Sequence, residues 1–187
     1  MHDDPTDFEL VRRSLQDDDH AFGMLVERYE AMVASVTIRM LGAGPDAEDV
    51  GQETFIRFYR TLDRFRGDAA LGTYLTRIAM NLSLNALKRR KVRATRHADL
   101  DPSSTSPEPT ASETADAGVA REQSAAQVTR ALDQLSPKHK AVVVLRLIEG
   151  RSTKETSAVL GVPAGTVMSR LKRAIEALRP ALEGDAI

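Results

Sequence analysis

Apolar residues recur at helical spacing along most of this 187-residue chain. Between Asp19 and Leu41 they form one broad face, and from Leu71 onward they form a narrower stripe. Breaks rich in glycine and proline separate these segments, and no run alternates apolar and polar residues as a half-buried strand would. The pattern predicts an all-α protein. Its first helices are expected over about residues 7–16, 19–41, 46–62 and from 71 into the basic run after 87.

The segment from Gly150 to Leu178 predicts two short helices joined by a tight turn. Ser152 and Glu155 form an S-x-x-E capping box, Gly161 can take the left-handed conformation that ends a helix, and Pro163 suits the start of the next. In the second helix the expected core positions are Val167, Leu171, Ala174 and Leu178, and the opposite face carries Ser169, Lys172, Arg173 and Glu176, flanked by Arg170. This pattern is typical of a DNA-binding helix-turn-helix. The alternative is a generic helical hairpin with a solvated basic face.

Charge is segregated along the chain, although the net charge is only −1. Residues 1–97 carry equal numbers of acids and bases, residues 98–118 carry five acids and no base, and residues 119–187 carry 11 bases and seven acids. The acidic stretch is rich in Ser, Thr, Pro and Ala, so it cannot build a core and is predicted to be a disordered linker. Two small helical domains, 1–97 and 119–187, are therefore expected on either side of a flexible linker at 98–118. Helices over 119–135 and from Pro137 to about Gly150 should precede the helix-turn-helix.

Several classes of function find no support in the composition. The chain has no cysteine, which removes disulfides and thiolate metal sites. The histidines His2, His20, His97 and His139 lack ligand spacing, and no glycine-rich phosphate loop or nucleophile elbow is present. No catalytic residue, cofactor or metal is predicted. The acidic start lacks the order of a secretory signal and no apolar run could span a bilayer, so a cytoplasmic protein without membrane insertion is expected.

An acidic helix face is the first candidate binding surface. Asp46, Glu48, Asp49 and Glu53 lie in a stretch with no basic residue between Arg39 and Arg57. Asp49 and Glu53 are four residues apart and share a helix face, with Gln52 beside them. Acids also favour a helix N-terminus in any protein, which is the better interpretation of Asp46 alone. The unrelieved like charge further along indicates docking onto a basic partner.

A basic cluster closes the fourth predicted helix, and a glycine-punctuated loop with aromatic residues precedes that helix. The cluster comprises Lys88, Arg89, Arg90, Lys91, Arg93 and Arg96, more cations than helix capping requires, which favours phosphate binding. Phe65 and Tyr74 lie among basic residues, where aromatic rings can stack on exposed bases of single-stranded DNA. Alternatively, both rings belong to the core.

These motifs together resemble a known family, the bacterial sigma factors of the extracytoplasmic-function (ECF) group, group 4 of the sigma-70 family. DAEDVGQETFIRFYRTLDRFRGD and TYLTRIAMNLSLNALKRRK are similar to region 2 of that family, and SPKHKAVVVLRLIEG and GVPAGTVMSRLKRA are similar to region 4. The resemblance covers about residues 7–93 and 122–180. It implies a protein that binds core RNA polymerase, directs it to promoters by recognising their −35 and −10 elements, helps to melt the −10 region, and is held inactive by an anti-sigma factor.

The resemblance also implies residue roles and partners. The acidic face would meet the clamp helices of the largest polymerase subunit through Asp46, Asp49, Gln52 and Glu53, and region 4 would meet the flap of the second-largest subunit. The −10 element would be contacted by Phe65, Arg66, Gly67, Asp68, Ala69, Asn81, Lys88 and Arg89. The −35 element would be contacted by Arg146, Ser169, Arg170, Lys172 and Arg173. The chain departs from the family's usual residues at Gly51, Gly72, Tyr74 and Met168.

Two other functions stay open at this point. A helix-turn-helix regulator that acts on DNA without replacing a sigma factor would need a sensory domain, and residues 1–97 lack the strands of the usual α/β receiver. A protein-binding adaptor would use its basic faces only as solvated surface.

Overall fold

The computed structural model describes residues 4–65, 67, 70–100 and 127–183, and side chains within these ranges except at 97–100 and 181–183. All regular structure in the described part is helical, which confirms the predicted all-α class. Three of the residues expected at the −10 element, Arg66, Asp68 and Ala69, lie outside the described residues, as does most of the predicted linker.

The first half of the chain is a bundle of four α-helices. They are α1 (Asp7–Ser14), α2 (Asp19–Leu41), α3 (Pro45–Arg60) and α4 (Leu71–Leu100), with a 3₁₀ turn at Leu62–Arg64 after α3. Helices α1 and α3 each end two residues before the predicted bound, at Ser14 and Arg60. Pro45 starts α3 one residue early because its fixed φ suits the first helical position. Helix α4 is described as far as Leu100, three residues into the predicted linker.

The core of the first half is built from the predicted apolar stripes. Leu25, Val36 and Met40 of α2 are buried against Phe58 of α3 and Leu75 of α4, each with a relative exposure of 0%. Helix α1 is held against α2 by polar contacts. Arg28 forms ion pairs with Asp4 at 3.1 Å and Asp7 at 2.7 Å, and the Tyr29 hydroxyl donates to the Asp7 carboxylate. The pKa of Tyr29 is raised to about 12, mainly because its hydroxyl is buried and secondly because of this hydrogen bond.

The second half contains the predicted helix-turn-helix. Residues 127–133 are helical (α5), and α6 (Pro137–Val143), α7 (Thr153–Leu160) and α8 (Ala164–Glu183) follow. The predicted core positions of α8 are all buried, together with residues of α5, of α6 and of the turn between them: Ala131, Leu132, Leu135, Val142, Val143, Val167, Leu171, Ala174 and Leu178. The prediction for this segment is therefore confirmed. Buried Lys140 is paired with Asp133 at 2.6 Å, which ties α6 to α5.

One turn of π-helix at Val144–Ile148 continues α6. The amide of Glu149 donates to the carbonyl of Val144 at 2.9 Å, so the hydrogen bond spans five residues instead of four. The amide of Arg151 then donates to Leu145 at 2.9 Å. The widened turn sets the direction in which Glu149 and Arg151 leave the helix.

The two halves share one apolar core. Ala141, Val144, Leu145 and Val159 of the second half are buried in the same cluster as the bundle of the first half. Polar contacts reinforce this packing: Arg151 donates to Thr76 at 2.9 Å and to Thr73 at 3.2 Å. Separate domains were expected from the sequence, and their independent folding stays a prediction.

Candidate functional site

Helix α3 presents the predicted acidic face to solvent. Its buried side consists of Ala47, Val50, Thr54 and Phe58, and this leaves Asp49 and Gln52 exposed and Glu53 partly exposed on the outside. Glu53 forms an ion pair with Arg57 one turn later at 2.8 Å. Such exposed pairs contribute only ~0.3–0.5 kcal/mol, so Glu53 can exchange Arg57 for another cation. The helix therefore holds a carboxylate, an amide and a second carboxylate on one accessible surface.

Asp46 differs from the other members of the acidic group. Its carboxylate lies 2.6 Å from Arg90, a member of the predicted basic cluster that also donates to the carbonyl of Leu41 at 2.9 Å. Arg90 thus joins the end of α2, the start of α3 and the middle of α4. The pair connects residues 44 positions apart, which no local pattern could indicate. Asp46 is engaged within the bundle, and its contact with a polymerase stays a prediction.

A polar stripe runs along the outer surface of α4. Asn81, Lys88 and Arg89 are exposed, as predicted, and Arg77 and Asn85 lie on the same surface at helical spacing from Asn81. The sequence reasoning did not name Arg77 and Asn85, although the i, i+4 spacing of 77, 81 and 85 would have found them. Cations and amides in one row can donate to phosphates and to the edges of bases in a duplex.

The aromatic residues at the start of α4 form a cluster with α3. The rings of Phe65 and Tyr74 are 5.3 Å apart at 62°, and each is about 6 Å from the ring of Phe58. Phe65 is half-buried, so its inner surface belongs to the core and the remainder is accessible. The structure explains why residue 72 is a glycine, because a Cβ at this position would lie only 3.2 Å from the Tyr29 ring. The absence of a side chain allows α4 to approach α2.

The helix-turn-helix has the predicted local geometry. The Ser152 hydroxyl accepts from the Glu155 amide at 3.2 Å, and the Glu155 carboxylate accepts from the Ser152 amide at 2.8 Å. The hydrogen bonds from Ser152 hold the pKa of Glu155 below its usual value of 4.5. Gly161 ends α7 with φ of 63°, in the left-handed region that favours glycine. The second helix is thereby set at a fixed angle to the first.

The exposed face of α8 carries the predicted residues. Ser169, Lys172 and Arg173 are exposed, Arg170 is half-buried, and Lys172 lies 4.0 Å from Glu176, at the limit of an ion pair. The Ser169 hydroxyl is used within the helix, because it donates to the Thr166 carbonyl at 3.1 Å. Met168 is half-exposed and accepts a 3.6 Å contact from the Thr153 hydroxyl, so it joins the starts of α7 and α8.

Arg146 occupies a different environment from the α8 residues. Its guanidinium donates to the carbonyl of Arg151, and its Nε is buried without a hydrogen-bond partner among the described residues. The side chain braces the segment between the π-helical turn and α7. A contact of Arg146 with the −35 element stays a prediction.

Two kinds of feature are absent from the described residues. Within them, no group of three or more His, Asp or Glu side chains is placed to hold a metal ion. No helix in the described ranges is long and apolar enough to cross a bilayer.

Two family models match separate parts of the chain. The family model of sigma-70 region 2 matches residues 25–93, which contain most of the four-helix bundle. The family model of sigma-70 region 4 matches residues 125–178, which contain the helix-turn-helix.

Similar proteins cover nearly the whole chain. The chain is 36% identical over 190 residues to the ECF RNA polymerase sigma-E factors of Salmonella typhimurium and Escherichia coli K12, with 95% of each chain covered. It is 34% identical over 184 residues to the RNA polymerase sigma-H factor of Pseudomonas aeruginosa, covering 95% of this chain and 94% of the relative.

Solved structures with a similar fold include two protein complexes. One is CnrH in complex with the cytosolic domain of CnrY, with a TM-score of 0.66, 26% identity, and coverage of 95% of this chain and 97% of that one. The other is the sigma factor RpoE in complex with the anti-sigma factor NepR from Bartonella quintana, with a TM-score of 0.64, 22% identity, and coverage of 88% and 98%. By its fold, its two matched regions and its full-length relatives, the chain belongs to the ECF group of sigma-70 factors, which bind core RNA polymerase and direct promoter-specific transcription initiation.

Proposed function

We propose that this sigma factor divides its task among three surfaces, each with exposed side chains among the described residues. The acidic face of α3 binds core polymerase through Asp49, Gln52 and Glu53. Asp46 contributes indirectly, because its pair with Arg90 fixes the start of α3 relative to α4. Sigma factors act by recognition, so no catalytic residue, cofactor or metal is assigned, and the protein works in the cytoplasm, where polymerase and promoter DNA are found.

The first half of the molecule reads the −10 element. The polar stripe of α4, with Asn81, Lys88 and Arg89, lies along the duplex and donates to phosphates and base edges. Phe65 and Gly67, with Arg66, Asp68 and Ala69 of the same loop, receive a base that has left the stack. Flipping a base costs a few kcal/mol, which the pocket must offset. The half-buried rings of Phe65 and Tyr74, packed against the buried ring of Phe58, support this role by offering a fixed aromatic edge beside the loop.

The second half reads the −35 element through α8. Arg173 and Lys172 point away from the buried row of Val167, Leu171 and Ala174, so they can enter a groove without disturbing the core. Arg170 and Ser169 flank them, and Arg146 acts behind the helix by bracing the turn before α7. The observation that carries the whole proposal is the presence in one chain of an exposed basic face on α8 and an exposed acidic face on α3.

Promoter binding requires the two halves to separate. The −35 and −10 elements are about 25 base pairs apart, more than two turns of duplex at ~10.5 base pairs a turn. The shared core and the Arg151 contacts describe a closed arrangement in which the halves are adjacent. The linker predicted from the sequence supplies the chain length that opening needs, and an anti-sigma factor holds the protein closed. CnrH, solved with the cytosolic domain of CnrY, supports a protein partner of this kind.

Transcription from a promoter by purified core polymerase tests the proposal. The protein is expected to start specific transcripts, whereas a regulator that cannot replace a sigma factor, or an adaptor, would start none. The double variant Gln52→Ala with Glu53→Ala should bind core polymerase at least about tenfold more weakly, because it loses polar contacts at the docking surface.

A matched control removes the same groups from another surface. Gln16→Ala with Asp19→Ala deletes one amide and one carboxylate from exposed positions near the α1–α2 junction and should bind normally. Equal affinity of both double variants and the parent would show that the docking surface lies elsewhere.

A further inference from the structure

A groove on the surface between α2 and α3 has a volume of about 300 Å³. Its walls are mainly apolar and include Ala34 and Ile38 from α2 and Phe55 from α3. Ile38 is 45% exposed, whereas Val36 and Met40, on the core side of α2, are fully buried. This size is at the lower limit of ligand pockets, roughly 300–1,000 Å³, and suits one or two bulky side chains.

Gly51 of α3 keeps this groove open. It lies in the middle of the helix, has no positive φ, and a Cβ added to it would meet nothing within 4 Å. Glycine in a helix interior lowers stability relative to alanine because it loses more backbone entropy on folding. No turn and no close contact within the described fold requires the glycine, in contrast to Gly72. Its effect is to leave unfilled the space that a side chain would occupy.

The charges around the groove indicate the kind of partner. Its lining residues include Glu30, Glu48 and Gln52 and no lysine or arginine. Glu48 and Gln52 also belong to the exposed side of α3 that carries Asp49 and Glu53, so the groove and the acidic face are one continuous surface. A partner segment that fits both must combine a bulky apolar side chain with neighbouring basic ones.

We propose that the α2–α3 groove receives a bulky apolar side chain from the basic helical segment of core polymerase that docks on the acidic face. This inference rests on the proposed function and adds to it a specificity-determining position, Gly51. The apolar side chain supplies the buried anchor of the interface, and the surrounding carboxylates exclude water and select basic neighbours. The groove is therefore the part of the docking surface whose shape decides affinity.

The test fills the groove from either wall without removing any polar group. Ala34→Leu enlarges an exposed residue of α2 inside the groove, and Ala31→Leu makes the same change one turn earlier on α2, outside it. On the other wall, Gly51→Leu fills the groove, and Gly51→Ala improves helix propensity but adds only a methyl group. All four are measured for thermal midpoint and for affinity to purified core polymerase.

The expected result separates stability from binding. Both Gly51 variants should have a raised thermal midpoint, yet Gly51→Leu and Ala34→Leu should bind core polymerase about tenfold or more weakly, while Ala31→Leu and Gly51→Ala bind within about threefold of the parent. If the parent binds and the folded groove-filling variants bind equally well, the groove has no such occupant and the proposed function stands. If the parent itself does not bind core polymerase, the proposed function fails first.

Discussion

The two halves of this sigma factor position their exposed side chains by different means. In the second half, a capping box, a left-handed glycine and four buried positions on α8 place Arg173 and Lys172, and all of these lie within 27 residues of one another. In the first half, Arg90 fixes the start of α3 from 44 residues away, and Phe65 is held by rings from α3 and α4. Local geometry thus defines the exposed face of α8, and long-range packing defines the exposed surfaces of the first half.

The difference predicts how far the effect of a destabilising core substitution extends through the molecule. A change in the core under α8 should weaken only the helix-turn-helix, whereas a change in the core under α4 should affect both halves, because Leu75 belongs to the cluster that also contains Val144 and Val159. The following variants test and refine this contrast, beginning with the largest expected effect.

Leu171→Ala should destabilise the second half by about 2–5 kcal/mol, because the side chain is buried and its removal leaves a cavity. Hydrogen exchange should show lost protection over 127–183 and near-parent protection over 4–60. Leu75→Ala is the counterpart in α4 and should lower protection in both halves. Leu171→Met, a volume-conserving control, should cost less than about 1.5 kcal/mol. Equal loss in both halves for Leu171→Ala would show that the helix-turn-helix is not a local unit.

Arg173→Ala and Lys172→Ala should weaken DNA binding in different ways. Arginine can form a bidentate fork with guanine, so Arg173→Ala should cost about 1–3 kcal/mol and relax preference at one position of the −35 element. Lysine is a flexible point charge, so Lys172→Ala should weaken binding to all sequences and reduce the salt slope by about one. Titrations on matched and scrambled −35 DNA at several salt concentrations separate the two. Unchanged affinity of Arg173→Ala for both DNAs would remove α8 from the reading role.

Arg151→Ala should loosen the closed arrangement. The guanidinium donates to two threonines across the junction, and hydrogen bonds from a charged group contribute about 1.5–3 kcal/mol where they are protected from water. Because the chain has no cysteine, one introduced at Ala31 and one at Ala177 can carry a pair of fluorescent labels. The distance between them should lengthen or broaden in Arg151→Ala. Lys154→Ala removes an exposed cation from the same segment and should leave the distance unchanged; an unaltered distance in both would exclude Arg151 as a closing contact.

Acidification should open one helix end in each half by the same mechanism. Glu9 in α1 and Glu155 in α7 both have a pKa held below 4.5, chiefly by hydrogen bonds to Thr6 and Ser152. A lowered folded pKa contributes stability above pH ~4.5, and that contribution is lost as the pH falls through the folded pKa. After correction for the intrinsic pH dependence of exchange, amide protection in the first turns of α1 and α7 should therefore fall below pH ~4.5. Glu9→Gln and Glu155→Gln should each remove the pH dependence at their own helix and leave the other unchanged.

Local signals were sufficient for most of the fold. Helix α2 has the predicted bounds, and Ser152, Gly161 and the buried row of α8 have the predicted roles, because caps, turns and helical stripes depend on neighbours within a few residues. The acidic face of α3 was found in the same way. Its exposure follows from the spacing of the residues that it buries.

Contacts between distant segments could not be predicted from these patterns. The pairing of Asp46 with Arg90 and of Arg151 with Thr76 depends on how helices pack, which periodicity leaves open. The contact of Arg146 with the carbonyl of Arg151 depends on a π-helical turn, and no local sequence pattern predicts that turn. The groove at Gly51 is a further case, because a missing side chain indicates space only when the opposite wall is known.

The π-helical turn at Val144–Ile148 has a consequence for how the chain can change length. A π-helical turn holds one residue more than an α-helical turn, so deleting one residue there would restore regular α-helix and preserve the helices on both sides. Every later residue would then be rotated by about 100° and moved by ~1.5 Å relative to α6. The Glu149 carboxylate, which accepts a hydrogen bond from the Ser35 hydroxyl at 2.8 Å, would lose that contact. Arg151 would lose its hydrogen bond to Thr76, and the helix-turn-helix would face a new direction. The one extra residue of the π-helical turn thus sets the orientation of the second half relative to the first.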